Sequence, residues 1–158
     1  MCGISICLRS PTNHELLLLK QRGPDSQKTF QFENISIHAT VLSHRGNDIF
    51  TQPFTSDRFI LAWNGEIYRS YNEKLNAKIS QNENDGKSLL EALESCSVEQ
   101  CFNDIEGSYS FLLVDKLNRI LYFGRDRFGR RPLFMTYDNN RKLSLISSVP
   151  SNNSVCKE

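Results

Sequence analysis

Cys2 offers the most chemistry in this chain of 158 residues. It directly follows Met1, and a side chain as small as cysteine's commonly permits removal of such a methionine. One residue would then carry both a thiol and a free α-amine. An α-amine titrates at about 7.7–8.0, below a free thiol at about 8.5, so it can take the thiol proton near neutral pH without a histidine. Cys2 can equally be read as a small buried side chain.

Asn64-Gly65 follows an apolar run and supports two readings. Asn-Gly is the strongest short hairpin signal and needs no chemistry to explain it. A side-chain amide next to a glycine N–H also makes a ready oxyanion hole for a tetrahedral intermediate. Glu66 adds a carboxylate beside that hole, or is an ordinary exposed strand residue. Arg45, in a loop between strands, is a surface charge or a bidentate partner for a substrate carboxylate. Asp85, in Asn84-Asp85-Gly86, is a helix N-cap or an anion that pairs with an amino group. The charged run Gly124-Arg125-Asp126-Arg127-Phe128-Gly129-Arg130-Arg131 reads as a structural loop with internal Arg–Asp pairing.

Other classes of function find little support. Nineteen Lys and Arg against eighteen Asp and Glu give a formal charge of +1, and the basic residues are interleaved with acidic ones. That argues against a nucleic-acid partner. No apolar run approaches the roughly 20 residues of a membrane-spanning helix, and Met1-Cys2-Gly3-Ile4-Ser5 is no secretory leader, so the expected address is the cytosol. Five cysteines, at 2, 7, 96, 101 and 156, are an odd number, which in a reducing compartment argues against a disulfide framework. The C-x4-C pairs Cys2/Cys7 and Cys96/Cys101 sit at the loose edge of zinc-ligand spacing. Cys96 and Cys101 also fall in a stretch of helical apolar spacing, where a free cysteine behaves as a small hydrophobe. Glycine-rich phosphate loops and Asp-x-Asp metal carboxylates are lacking, and no metal is assigned.

The elements that must position these residues follow from periodicity. An extended start (2–8), a leucine-rich helix (14–21) and the turn Arg22-Gly23-Pro24-Asp25-Ser26 lead into strands at 27–32 and 35–42. A strand at 58–63 ends at Asn64-Gly65. Helical spacing runs from Lys87 through Leu93 to Ile105, and strands return at 108–114, 120–124, 132–137 and 142–148. Helices in two clusters, with strands in the majority, predict an α+β fold of antiparallel sheets rather than a doubly wound parallel one. Residues 1–150 form one domain, and 151–158 read as a polar, frayed tail.

Taken together, Met1-Cys2-Gly3-Ile4, Arg22-Gly23-Pro24-Asp25, Ala62-Trp63-Asn64-Gly65-Glu66-Ile67-Tyr68, Glu106-Gly107-Ser108-Tyr109-Ser110-Phe111 and Gly124-Arg125-Asp126-Arg127-Phe128-Gly129 resemble, in order, the class II glutamine amidotransferase domains. The likeness is strongest to the glutaminase half of asparagine synthetases and to the asparagine synthetase domain-containing branch. The resemblance implies a four-layer αββα sandwich of the N-terminal nucleophile type. It assigns Cys2 as nucleophile, Asn64 and Gly65 as oxyanion hole, Arg45 as the α-carboxylate partner, and Glu66 and Asp85 as partners of the α-ammonium of glutamine. It implies no cofactor for glutamine hydrolysis. ATP and Mg belong to a synthetase domain, whose Ser-Gly-Gly-x-Asp-Ser loop is not found here, so the ammonia acceptor would be a separate synthetase domain or subunit. The sequence departs from the family at Gln21, where a histidine is usual. It departs again at Gly46-Asn47, and at Gly86-Lys87, which puts a positive charge near the proposed ammonium site. Those departures keep open a weak or non-catalytic glutamine-binding module of the same fold, and the C-x4-C pairs a zinc-stabilised one.

Overall fold

The computed structural model describes residues 1–8, 11–43, 49–81, 83–151 and 154–155. Within them the chain runs β1 (Gly3–Cys7), α1 (Asn13–Arg22), β2 (Ser26–Phe32), β3 (Ile35–Val41), β4 (Phe54–Thr55), β5 (Phe59–Ser70), α2 (Glu73–Ser80), α3 (Asp85–Leu93), α4 (Val98–Asn103), β6 (Ile105–Asp115), β7 (Ile120–Arg125), β8 (Phe134–Tyr137), β9 (Leu143–Ser147) and β10 (Ser154–Val155). A six-stranded sheet in the order β10-β8-β9-β1-β3-β2 faces a four-stranded one in the order β4-β5-β6-β7. Their strand pairs are antiparallel. The α+β class read from the sequence is the observed one.

Strand alternation divides the core in two, because successive side chains point to opposite faces of a sheet. Ile4 and Ile6 of β1 and Ile37 and Ala39 of β3 meet Ile60 and Ala62 of β5 and Leu112 and Val114 of β6 between the sheets. The alternate β5 residues Phe59, Leu61 and Trp63 turn the other way, against Leu75 of α2, Leu89 and Leu93 of α3 and Cys101 of α4. Helix α1 covers the outer face of the larger sheet. There Thr40 Oγ1 donates to the Leu19 carbonyl at 2.6 Å, and a Cβ at Gly3 would meet that same oxygen at 2.8 Å. A capping box starts α1: Thr12 Oγ1 accepts from Glu15 N–H, and Glu15 Oε2 accepts from Thr12 N–H.

Several expectations change. Asn64-Gly65 does not end a strand or turn a hairpin. It lies inside the twelve-residue β5, where Asn64 pairs with Ser110 and Gly65 with Tyr109. Glycine is needed there for close approach, since a Cβ on Gly65 would stand 2.3 Å from the Ser108 carbonyl oxygen. Helix α2, capped by Asn72, had no counterpart in the sequence reading. The long helical stretch is two helices, broken before Ser97, whose hydroxyl caps α4. The break brings Cys96 and Cys101 together as a disulfide with a Cα separation of 6.3 Å, so neither is the free cysteine expected nor available to zinc. Cys2 and Cys7 cannot share a metal either: five residues along an extended strand at ~3.3 Å each put them roughly 16 Å apart on opposite faces. Part of the tail expected to fray, 154–155, pairs with β8.

Candidate functional site

A cavity of about 200 Å³ opens where the start of β1 meets the middle of β5 and the first turn of α3. Cys2, Asn64, Gly65, Glu66 and Asp85 all line it, drawn from three separate segments of the chain. Arg45 lies outside the described residues.

The half-buried Cys2 is held by its neighbours' backbone. Gly3 N–H donates to Thr40 Oγ1 at 3.1 Å and Ile4 N–H to Ser148 Oγ at 2.9 Å, while the Cys2 carbonyl accepts from Arg22 Nε at 3.3 Å. The α-amine beside the thiol belongs to Met1. Burial lowers its pKa from the usual 8.0, and the Arg22 and Arg131 guanidiniums push the same way, against the opposing pull of Cys2 and Asp25.

Strand geometry sets the oxyanion candidates. In an antiparallel ladder the N–H and C=O of each residue point to the same neighbouring strand, and the direction alternates along the chain. Tyr109 turns both groups toward the β7 side, where its N–H donates to Asp126 Oδ2 and its carbonyl accepts from Asp126 N–H. Its partner Gly65 therefore lies in a non-bonded pair and turns its own N–H and C=O away from β6. On that side β4 stops opposite Leu61, and among the described residues no strand reaches Gly65. The neighbouring outward N–H groups are taken by side chains: Trp63 N–H donates to Gln52 Oε1 at 2.7 Å and Ile67 N–H to Asp85 Oδ2 at 2.8 Å. Between them stands Gly65 N–H, at the cavity. Asn64 is buried and spends one amide proton on Ser110 Oγ at 3.3 Å, and a primary amide has a second.

Asp85 is not the helix cap. Asn84 caps α3 by accepting from Lys87 N–H at 3.1 Å, which leaves Asp85 as the first helical residue, buried against β5. Gly86 lets the helix come this close: a Cβ there would meet the Phe54 ring at 2.5 Å and Trp63 Cβ at 3.2 Å. Glu66 is half-buried rather than an exposed strand residue. Lys87 is exposed and does not line the cavity, so the positive charge next to Asp85 in sequence points elsewhere in space.

Three residues that sequence reasoning gave no role join the site. Arg22 holds the Cys2 carbonyl, and Gln52 holds the β5 edge. The half-buried Arg131 lines the cavity wall with Met1 and Cys2. Arg22 and Arg131 lie in motifs quoted above, so their positions were signalled without their tasks. The loop before Arg131 is not held by Arg–Asp pairs as expected. Its Asp126 carboxylate accepts from the N–H groups of Tyr109, Phe128 and Arg130.

Residues 1–156 match the family model of the glutamine amidotransferase domain. The chain belongs to that family. Similar proteins include human asparagine synthetase domain-containing protein 1, 34% identical over 166 residues that take in 94% of this chain and 25% of the relative. A fruit-fly asparagine synthetase domain-containing protein, CG17486, is 30% identical over 152 residues, 85% of this chain and 26% of its own. Human asparagine synthetase (glutamine-hydrolyzing) is 29% identical over 141 residues, covering 83% of this chain and 25% of the relative. This amidotransferase domain thus spans about a quarter of the length of the curated relatives it matches. No helix among its described residues is long and apolar enough to cross a membrane.

Proposed function

We propose that this domain, once Met1 is removed, hydrolyses glutamine to glutamate and ammonia through a thioester on Cys2, in a fold of the N-terminal nucleophile type. The observation that carries the reading is the convergence of Cys2, Asn64, Gly65, Glu66 and Asp85 on one cavity. The Cys2 α-amine takes the thiol proton, and the thiolate attacks the side-chain amide carbon of glutamine. The oxyanion so formed is held by Gly65 N–H and the second amide proton of Asn64. Collapse expels the nitrogen, which leaves as ammonia with the proton returned by the amine, and a γ-glutamyl thioester remains. Water, deprotonated by the same amine, attacks the thioester, and glutamate leaves as the thiol is restored. Glu66 and Asp85 take the substrate ammonium and Arg45 its α-carboxylate. A synthetase domain or subunit would receive the ammonia.

A second reading follows from Met1 itself. While Met1 is attached, the nitrogen of Cys2 is an amide and cannot accept a proton, and the chain is then a glutamine-binding module without turnover. Intact-protein mass together with ammonia release separates the two. Ammonia release by the form lacking Met1, lost in Cys2→Ala, is expected. Equal release from both proteins would overturn the nucleophile assignment.

A further inference from the structure

We infer that Arg131 is an anion subsite at the Cys2 end of the cavity, where it holds the side-chain carboxylate of glutamate, so that the domain binds glutamate more tightly than glutamine. This inference rests on the glutamine reading above.

The cavity lining carries charges of both signs: Glu66, Asp85 and Glu83 line it, and so does Arg131, whose charge is felt at Met1 next to Cys2. An amino-acid ligand that places its ammonium at the carboxylates presents its side-chain end to Cys2 and Arg131. Among the described residues Arg131 has no hydrogen-bond or carboxylate partner, and its Nε is buried without one. A buried donor of this kind is costly to leave unmade, and a ligand acceptor relieves the cost. The charge of Arg131 is felt by Arg22, itself a cation, which adds to the demand for an anion. The backbone that leads to Arg131 is held in place. Asp126 gathers the N–H groups of Phe128 and Arg130, Gly129 N–H donates to the Asp126 carbonyl at 2.9 Å, and Gly129 takes the positive φ of 64° that the turn needs.

A carboxamide offers this guanidinium one neutral oxygen, whereas a carboxylate offers two charged ones that match its fork. Hydrolysis converts the first into the second at this position. Arg131 would therefore retain the product, and glutamate would compete with glutamine as it accumulates.

Calorimetric titration of L-glutamine and L-glutamate tests this in the Cys2→Ala background, where glutamine is not consumed. With Arg131 present, glutamate is expected to bind about tenfold or more tightly than glutamine. Arg131→Gln should bring the affinity for glutamate to that for glutamine. A glutamate preference that survives Arg131→Gln overturns the inference. So does equal binding of the two ligands with Arg131 in place, a result that stands even if the variant does not fold. In both of those cases glutamine still binds and the glutamine reading survives. Binding of neither ligand overturns the glutamine reading itself, and the inference with it.

Discussion

The Phe59 end of the β5–β6 ladder and its middle at Gly65 bury polar groups in opposite ways. At the Phe59 end, Asp115 is fully buried and its two oxygens serve donors on every side. They accept from Arg58 Nε at 3.0 Å and Nη2 at 2.7 Å, from the N–H groups of Leu117 and Asn118, and from the Asn118 amide at 2.8 Å. Burial would raise the pKa of Asp115, but these donors overcome it and lower it from 3.8 to about 2. Around Gly65 donors are left over among the described residues: a glycine N–H that no strand reaches, the second proton of the Asn64 amide and, from outside the ladder, the Nε of Arg131. The Phe59 end spends its polar groups on itself and supports the fold. The other keeps them for a ligand, and a site of that kind is where local consistency is given up.

If the two regions are separable in this way, mutations at them should move different quantities. Cys2→Ala should lower ammonia release by about a thousandfold or more, as loss of a nucleophile does. It should leave chemical unfolding within about 0.5 kcal/mol, because the side chain is half-buried at a rim. Asp115→Ala should do the reverse. Stripping one buried acceptor from five donors should cost about 2–4 kcal/mol in urea unfolding, with kcat unchanged for the protein that remains folded. A folded Asp115→Ala protein with no activity would show that the ladder transmits strain from its Phe59 end to its middle, and the division would fail.

The contrast also explains what could be read in advance. The strands, the amphipathic α3 and the α+β class follow from periodicity, which survives in a single sequence because each element buries one face. Cys2, Asn64, Gly65, Glu66 and Asp85 carry their chemistry in their residue types, and the motifs that hold them resembled a family that the whole-chain match then confirmed. Asn64-Gly65 was misplaced because a local hairpin signal cannot register a partner strand more than forty residues downstream, against which only glycine fits. Arg131 was passed over for a related reason. In sequence it has Asp126 to pair with, and only the fold shows that Asp126 is already engaged by backbone N–H groups.

The two regions should differ in pH response as well. Ammonia release by the form lacking Met1 should rise about tenfold per pH unit while the Cys2 amine is protonated, and level off above the pKa of that amine. Stability moves in the acid range. A carboxylate held at about 2 in the folded chain and near 3.8 in the unfolded one contributes above pH 3.8 and loses that contribution as pH falls toward 2. Acid unfolding monitored by circular dichroism should show this loss, and Asp115→Ala should remove it. Asp85→Asn belongs to the Gly65 region. It keeps an acceptor for Ile67 N–H but loses the charge, and should raise KM for glutamine about tenfold with kcat little changed.

The smallest expected effect is the most discriminating about Asp85. Gly86-Lys87 departs from the small-plus-acidic pair usual in the family, and a lysine two residues from the ammonium site would oppose substrate if charge were read along the chain. The helix separates the two. Asp85 points into β5 and the cavity, while Lys87 stands exposed on the first turn of α3. A charge in water acts on the site across a screened medium, with a Debye length of about 8 Å at physiological ionic strength. Lys87→Ala and Lys87→Glu should therefore change KM for glutamine by less than about twofold at that ionic strength, and any difference should shrink further as salt is added. A tenfold fall in KM in Lys87→Glu, persisting in high salt, would mean that residue 87 reaches the ligand directly. The ammonium site would then extend over the helix N-terminus instead of ending at Asp85.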